Sequence, residues 1–358
     1  MFNKTLALAA IGLLLFQNVM AFSIKDAADA QFEKLANKYV VELMAMNPER
    51  ATGLGEHKYD YRLDDYTLEG VKKDRDFTQK YLNDLNKISF DKLSKINNVD
   101  ARIFRENLEY GIFQIDVLRG YEWNPINYNV GGAINGLISR DFAPLKERLT
   151  SAKGRLEAIP NVVAAAKRNL KNPPRIYTET AIAQNKGVIG LINGDLQMFI
   201  DRAGMKAELA PAQATAIAAL TDYGVWLETD LLPRSNGDFR LGEAKYRQKL
   251  KFALSSEISK EELLKRAEAD LKATQDKMLV VAFKIMRGMK EVKPIIARED
   301  EGKRKTIKYI LDELAKKHPT NENIVSQASG DLQETTEFVR KNNLVTVPTE
   351  PVKVIEMP

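Results

Sequence analysis

The chain has 358 residues, 44% of them hydrophobic and 29% charged, with no cysteine, two histidines and a formal net charge of +5. This balance supplies enough apolar surface for a large core and excludes wholesale disorder. The missing cysteines exclude disulfides, thiolate zinc sites, iron–sulfur clusters and a cysteine nucleophile, and the mild positive excess without a dense basic tract leaves no footprint for nucleic acid.

Residues 1–21 have the make-up of an export signal. Lys4 precedes an apolar run from Thr5 to Phe16, and Val19 and Ala21 suit the −3 and −1 positions of a signal-peptidase site. The run is too short to cross a bilayer as a mature helix. Cleavage is expected after Ala21, giving a periplasmic or secreted protein with no stable membrane anchor. No cysteine is present to carry a lipid.

From there the dominant period is helical, and residues 22–342 are expected to form one all-α domain of packed antiparallel helices. A first helix over 24–46 stops at Asn47-Pro48. Thr67 caps a polar helix to about Leu85. Phe104, Leu108, Ile115 and Leu118 share one stripe with Gly111. Pro144 opens a helix that closes near Ile159, and Pro160 is expected to open the next, which Asn172-Pro173-Pro174 ends. Thr178 is placed as a cap for a helix through the 180s, and Pro211 as the start of an alanine-rich helix to Leu231. Ser259 and Glu262 form a capping-box pattern. Behind them Leu264, Ala267, Leu271, Met278, Ala282, Ile285 and Met289 make one long apolar stripe. Further helices are expected over 301–317 and 321–341. Residues 121–132 and 232–242 break the period and read as loops. In the last stretch, 343–358, Val345 and Val347, then Val352 and Val354, alternate with polar residues in the manner of a strand. Such a tail is expected either to enter a further domain or to remain extended.

Several chemistries have no support. His57 and His318 lie far apart and neither sits in a His-Glu-x-x-His run. No phosphate-binding glycine loop and no nucleophile elbow is present. No catalytic residue, metal ligand or cofactor is therefore assigned to this chain.

Six segments together resemble one bacterial family. They are residues 47–65, running from Asn47-Pro48-Glu49-Arg50 through His57-Lys58-Tyr59-Asp60-Tyr61-Arg62 to Asp64-Asp65; Arg140-Asp141-Phe142-Ala143-Pro144; Arg155-Leu156-Glu157-Ala158-Ile159-Pro160; residues 169–174, with Asn172-Pro173-Pro174; Thr178-Glu179-Thr180-Ala181-Ile182; and Gly237-Asp238-Phe239-Arg240-Leu241-Gly242. In this order they are similar to the N-terminal half of the domain-of-unknown-function 885 family. That resemblance implies an exported or cytosolic helical protein related to zinc metallopeptidases of the gluzincin kind. In full-length relatives the His-Glu-x-x-His helix and third zinc ligand belong to the C-terminal half, and so does the zinc. The implied expectation is a truncated or split member, inactive alone, whose partner is a C-terminal catalytic half in cis or in trans and whose full-length relatives act on peptide-like substrates. The alternative is a self-sufficient periplasmic helical binding or scaffold protein.

Among the shared residues, His57, Tyr59, Asp60 and Arg62 form either the edge of a substrate cleft or a set of helix-packing hydrogen bonds. Asp238 and Arg240 either pair across their turn or face a ligand. Gly237 and Gly242 suit positive φ or close approach. Tyr121, Trp123 and Tyr128 are candidates for a pocket wall or for the edge of the core.

Overall fold

The structure, a computed structural model, describes residues 27–289, 300–352 and 354. The expected leader at 1–21 lies outside them. Every regular element among the described residues is helical, as the 3.6-residue period requires. The chain separates into two units, one ending at Ser256 and the other beginning at Glu257.

In the first unit α1 occupies residues 27–46. It is followed by α2 (Pro48–Gly53), α3 (Leu68–Leu85) and α4 (Lys95–Phe113). Thr67 begins α3 as expected, its hydroxyl accepting the Gly70 N–H at 3.0 Å. A π-turn, Gln114–Leu118, prolongs α4 and leads into the short α5 (Gly120–Trp123). Then come α6 (Gly131–Ile138), α7 (Leu145–Asn169), α8 (Arg175–Asn193), α9 (Asp195–Ala203), α10 (Lys206–Trp226) and α11 (Glu243–Leu254). Two buried clusters hold the unit together. The larger joins α6 to α10 through Ile134, Leu149, Leu156, Ile159, Ile192, Leu196 and Leu220, with α7 laid along α10. The smaller joins α1, α3 and α4 through Phe32, Tyr81, Leu85, Ala101 and Leu108.

Three boundary expectations are corrected. Pro160 does not open a helix; it lies inside α7, where Leu156, Ile159, Val162 and Val163 are all buried. Burial on that face offsets the roughly 3 kcal/mol that an interior proline costs. Pro211 is likewise interior to α10. Thr178 is not a cap, because Pro174 already starts α8 and Thr178 is fully buried, its hydroxyl 2.8 Å from that of Ser235.

The second unit contains α12 (Lys260–Arg287), α13 (Asp300–Ala315) and α14 (Ile324–Lys341). Ser259 caps α12 through the Glu262 N–H at 3.1 Å. The long stripe on α12 is buried only near its end: Ala282 and Met286 meet Ile310 of α13, whereas Leu264 and Leu271 are exposed. The alternating valines of the tail form no strand among the described residues, and Val345 and Val352 are exposed. Pro348 and Pro351 remove two ladder donors there, and no other extended segment of the described chain pairs with it.

Candidate functional site

The family-like segments meet at two junctions in the first unit, and Arg155 is the centre of the first, where residues 155–160 meet residues 47–65. Arg155 is 1% exposed. It donates to the carbonyls of Arg62 (3.0 Å), Ala133 (2.5 Å) and Pro48 (3.4 Å) and to the Thr52 hydroxyl (2.5 Å). Burial pulls its pKa below the usual value, and the nearby carboxylates of Glu49, Asp60 and Asp64 oppose that. Thr52 in turn donates to Asp60 (2.5 Å), whose other oxygen faces His57 Nδ1 at 2.9 Å. The His57 ring stacks on Phe142 with centroids 3.7 Å apart. A fork of fixed donors suits this convergence of carbonyls in a way that a lysine could not.

Beside this junction Glu49 and Asp64 exchange bonds: Asp64 accepts the Glu49 N–H at 3.2 Å and Glu49 accepts the Asp64 N–H at 3.1 Å. Glu49 also accepts the Tyr66 hydroxyl at 2.9 Å. The Asp64 carboxyl is pushed up to about 7, first by burial and next by the charge of Glu49. Burial likewise drives the Tyr66 hydroxyl far above its ordinary value.

The remaining shared segments lock a second junction. Gly237 donates to the Pro173 carbonyl (3.1 Å) and the Asn236 N–H to Asn172 Oδ1 (3.0 Å). Arg234 donates to the Lys171 carbonyl. A methyl group on Gly237 would stand 2.4 Å from the Asn172 carbonyl oxygen, and Gly242 has φ +75°. Glycine therefore serves the two positions for the two different reasons expected of it.

The sequence-selected residues are thus distributed as follows. His57 and Asp60 belong to the Arg155 junction, with Asp60 buried. Tyr59 stands beside them with Lys58 over its ring at 5.5 Å. Arg62 is exposed and reaches back to the Ala45 carbonyl at 3.2 Å. Asp238 accepts the Arg240 N–H at 2.9 Å across an exposed turn, with the Arg240 guanidinium over Phe239. Tyr128 is buried in the core, while Tyr121 and Trp123 line a cavity.

Tyr121 and Trp123 thus line a pocket, as one of their two readings had it, but the rest of that cavity's walls were not legible in the sequence. The cavity occupies about 400 Å³ between α3, the π-turn, α5 and α11, and Leu118, Tyr121, Trp123, Asn127, Leu241 and Lys249 are among its walls. A second cavity of about 460 Å³ lies against α1, α2, α3 and α4, walled by Tyr39, Asn47, Arg50, Phe77, Phe104 and Asn107 among others. Asp74, Tyr110, Gln114 and Ile115 belong to both. The two form one cleft with Asp74 at their junction. Asp74 is half-buried, and burial followed by the like charge of Asp65 raises its carboxyl to about 6. The only signal available beforehand was the aromatic richness of 121–128.

Zinc, which the resemblance implies for longer relatives, finds no matching set of donors here. Among the described residues no three His, Asp or Glu side chains gather so as to hold a metal ion. His57 is committed to Asp60, and His318 faces the Pro319 carbonyl at 2.9 Å.

A family model described as "Bacterial protein of unknown function (DUF885)" matches residues 48–358. The chain belongs to this family. It is also similar to a solved structure titled as that of a "putative lipoprotein of unknown function" from Shewanella oneidensis, at 26% identity over 89% of this chain with a TM-score of 0.72. The chain spans 59% of the length of that structure. No curated protein matches it. No helix among the described residues is long and apolar enough to cross a membrane.

Proposed function

We propose that this DUF885 chain is the ligand-cradling helical part of an exported protein, and that it holds an extended, peptide-like ligand in the cleft around Asp74. The observation that carries this reading is the cleft itself: two adjoining cavities walled by tyrosine, phenylalanine and tryptophan and studded with amide side chains. Aromatic walls supply contact area, and scattered Asn and Gln side chains can satisfy the backbone groups of an extended chain. Bond-breaking chemistry, including the zinc-dependent peptidase activity that the family resemblance implies, is assigned to a C-terminal half of a longer protein. The alternative, a self-sufficient periplasmic binding or scaffold protein, draws support from the cleft lying wholly within the first unit.

The test is hydrogen exchange on the purified chain with and without a pool of short aromatic peptides, followed by recovery of the peptides. Slower exchange in α3, α4 and α5 with the peptides returned uncut is expected. Unchanged exchange in those helices would remove the ligand-cradling reading, and metal-dependent cleavage would remove the assignment of chemistry elsewhere. Supplying a downstream polypeptide that carries a His-Glu-x-x-His helix separates the two versions, since only the first gains cleavage from it.

A further inference from the structure

The cations of α3 are each accounted for by a carboxylate other than Asp74. Lys72 pairs with Asp76 at 2.6 Å, Lys73 approaches Asp65 at 3.9 Å, Arg75 holds Asp116 at 3.1 Å and Lys80 approaches Glu42 at 3.6 Å. Asp74 has neither an ion pair nor a side-chain hydrogen bond among the described residues, although it stands between the two cavities. A carboxylate withdrawn from water without a counter-charge is costly, and folding has placed every nearby cation of its own helix elsewhere. Tyr110 shares the junction with Asp74, and Tyr39, Phe77 and Phe104 form a ring cluster on one side, with Tyr39 and Phe104 centroids 4.6 Å apart. Ring faces beside a carboxylate make a favourable environment for a cation. Lys249 lines only the first cavity and Arg50 only the second, and both are exposed. They are placed to meet the opposite charge of a ligand and to discourage one that is cationic throughout.

We propose that Asp74 anchors a primary ammonium group of the ligand, so that the cleft selects peptides carrying a free amine together with aromatic side chains. The inference rests on the peptide reading given above and narrows it. The raised carboxyl agrees with it, because a bound ammonium would restore the counter-charge that Asp74 lacks and hold it ionised. Two sources share this chemistry, the amino terminus of a peptide and the side chain of a lysine.

The experiment is calorimetric titration of the purified chain with three probes: Phe-Tyr-Gly, its N-acetylated twin, and N-acetyl-Phe-Lys-Gly. The free tripeptide is expected to bind at least tenfold more tightly than the acetylated twin. If the acetylated lysine peptide recovers that affinity, the site takes either source; if it does not, the site reads the amino terminus. Asp74→Asn should bring all three to the affinity of the acetylated twin. The variant keeps the side chain's shape and removes a charge that has no partner, so its melting temperature should match or exceed that of the parent. The probe series on the unaltered chain stands independently of the variant. A blocked peptide that binds as tightly as the free one, or a free-amine preference that survives Asp74→Asn, would overturn the anchor and leave the peptide cleft intact. No binding of any probe would overturn both.

Discussion

Asp64 and Asp74 are neighbouring carboxylates in the same unit with different surroundings. Asp64 accepts a backbone N–H and sits against Glu49, whereas Asp74 has cavity on both sides. For Asp64 the consequence is a stability that depends on pH in the direction opposite to that of a salt-bridged aspartate. Its carboxyl rises from an ordinary 3.8 to about 7 on folding. Between those values the folded chain binds the proton and the unfolded chain releases it, so stability falls as pH rises through that window and levels off above it. Asp64→Asn retains an oxygen to accept the Glu49 N–H and cannot ionise. It should therefore be more stable than the parent at pH 8 by about 1–3 kcal/mol and nearly equal to it at pH 4, allowing for partial solvent access. Urea denaturation at the two pH values measures this, and parallel profiles for parent and variant would contradict it.

At the scale of elements, the shared segments act chiefly as junctions between helices. Gly237 illustrates how a short stretch of sequence can be held by backbone geometry alone. Gly237→Ala forces a methyl group against the Asn172 carbonyl oxygen and should cost about 1–3 kcal/mol, whereas Gly53→Ala, with nothing within 4 Å, should be neutral or slightly stabilising. Thermal melts of the two variants side by side check the contrast. The same scale shows what the sequence made readable. Helix existence followed from periodicity, and the caps at Thr67 and Ser259 followed from hydroxyl chemistry that is local to three or four residues. Pro160 and Pro211 misled as start signals because their cost is local while the burial that outweighs it comes from helices distant in sequence. The stripe on α12 reads as a buried face over its whole length, yet a stripe records only what a helix could bury, and α13 reaches only its last turns. The cleft was hidden for a similar reason. Tyr39, Asp74, Tyr110, Trp123 and Lys249 come from five separate stretches, and no spacing rule connects them.

Across the molecule, burial is concentrated in the first unit, where two extensive clusters contrast with the few fully buried apolar residues of the second. Several helix pairs of the first unit, such as α3 with α4 and α6 with α7, are neighbours in sequence, but the Arg155 junction spans far more chain: its bonds reach back 103 positions to Thr52 and 107 to Pro48. Contacts between sequence neighbours form early, and those that must close a long loop form late. An interaction absent from the folding transition state affects the rate of escape from the native state more than the rate of arrival. Arg155→Lys, which keeps the charge and loses the fork, should lower equilibrium stability by about 3 kcal/mol or more. In stopped-flow measurements nearly all of that loss should fall on the unfolding limb, with refolding close to the parent rate. The residue that ties the stretch after α1 to the middle of α7 would then set how long the fold lasts once made, the quantity that governs useful lifetime wherever an unfolded chain is lost faster than it refolds.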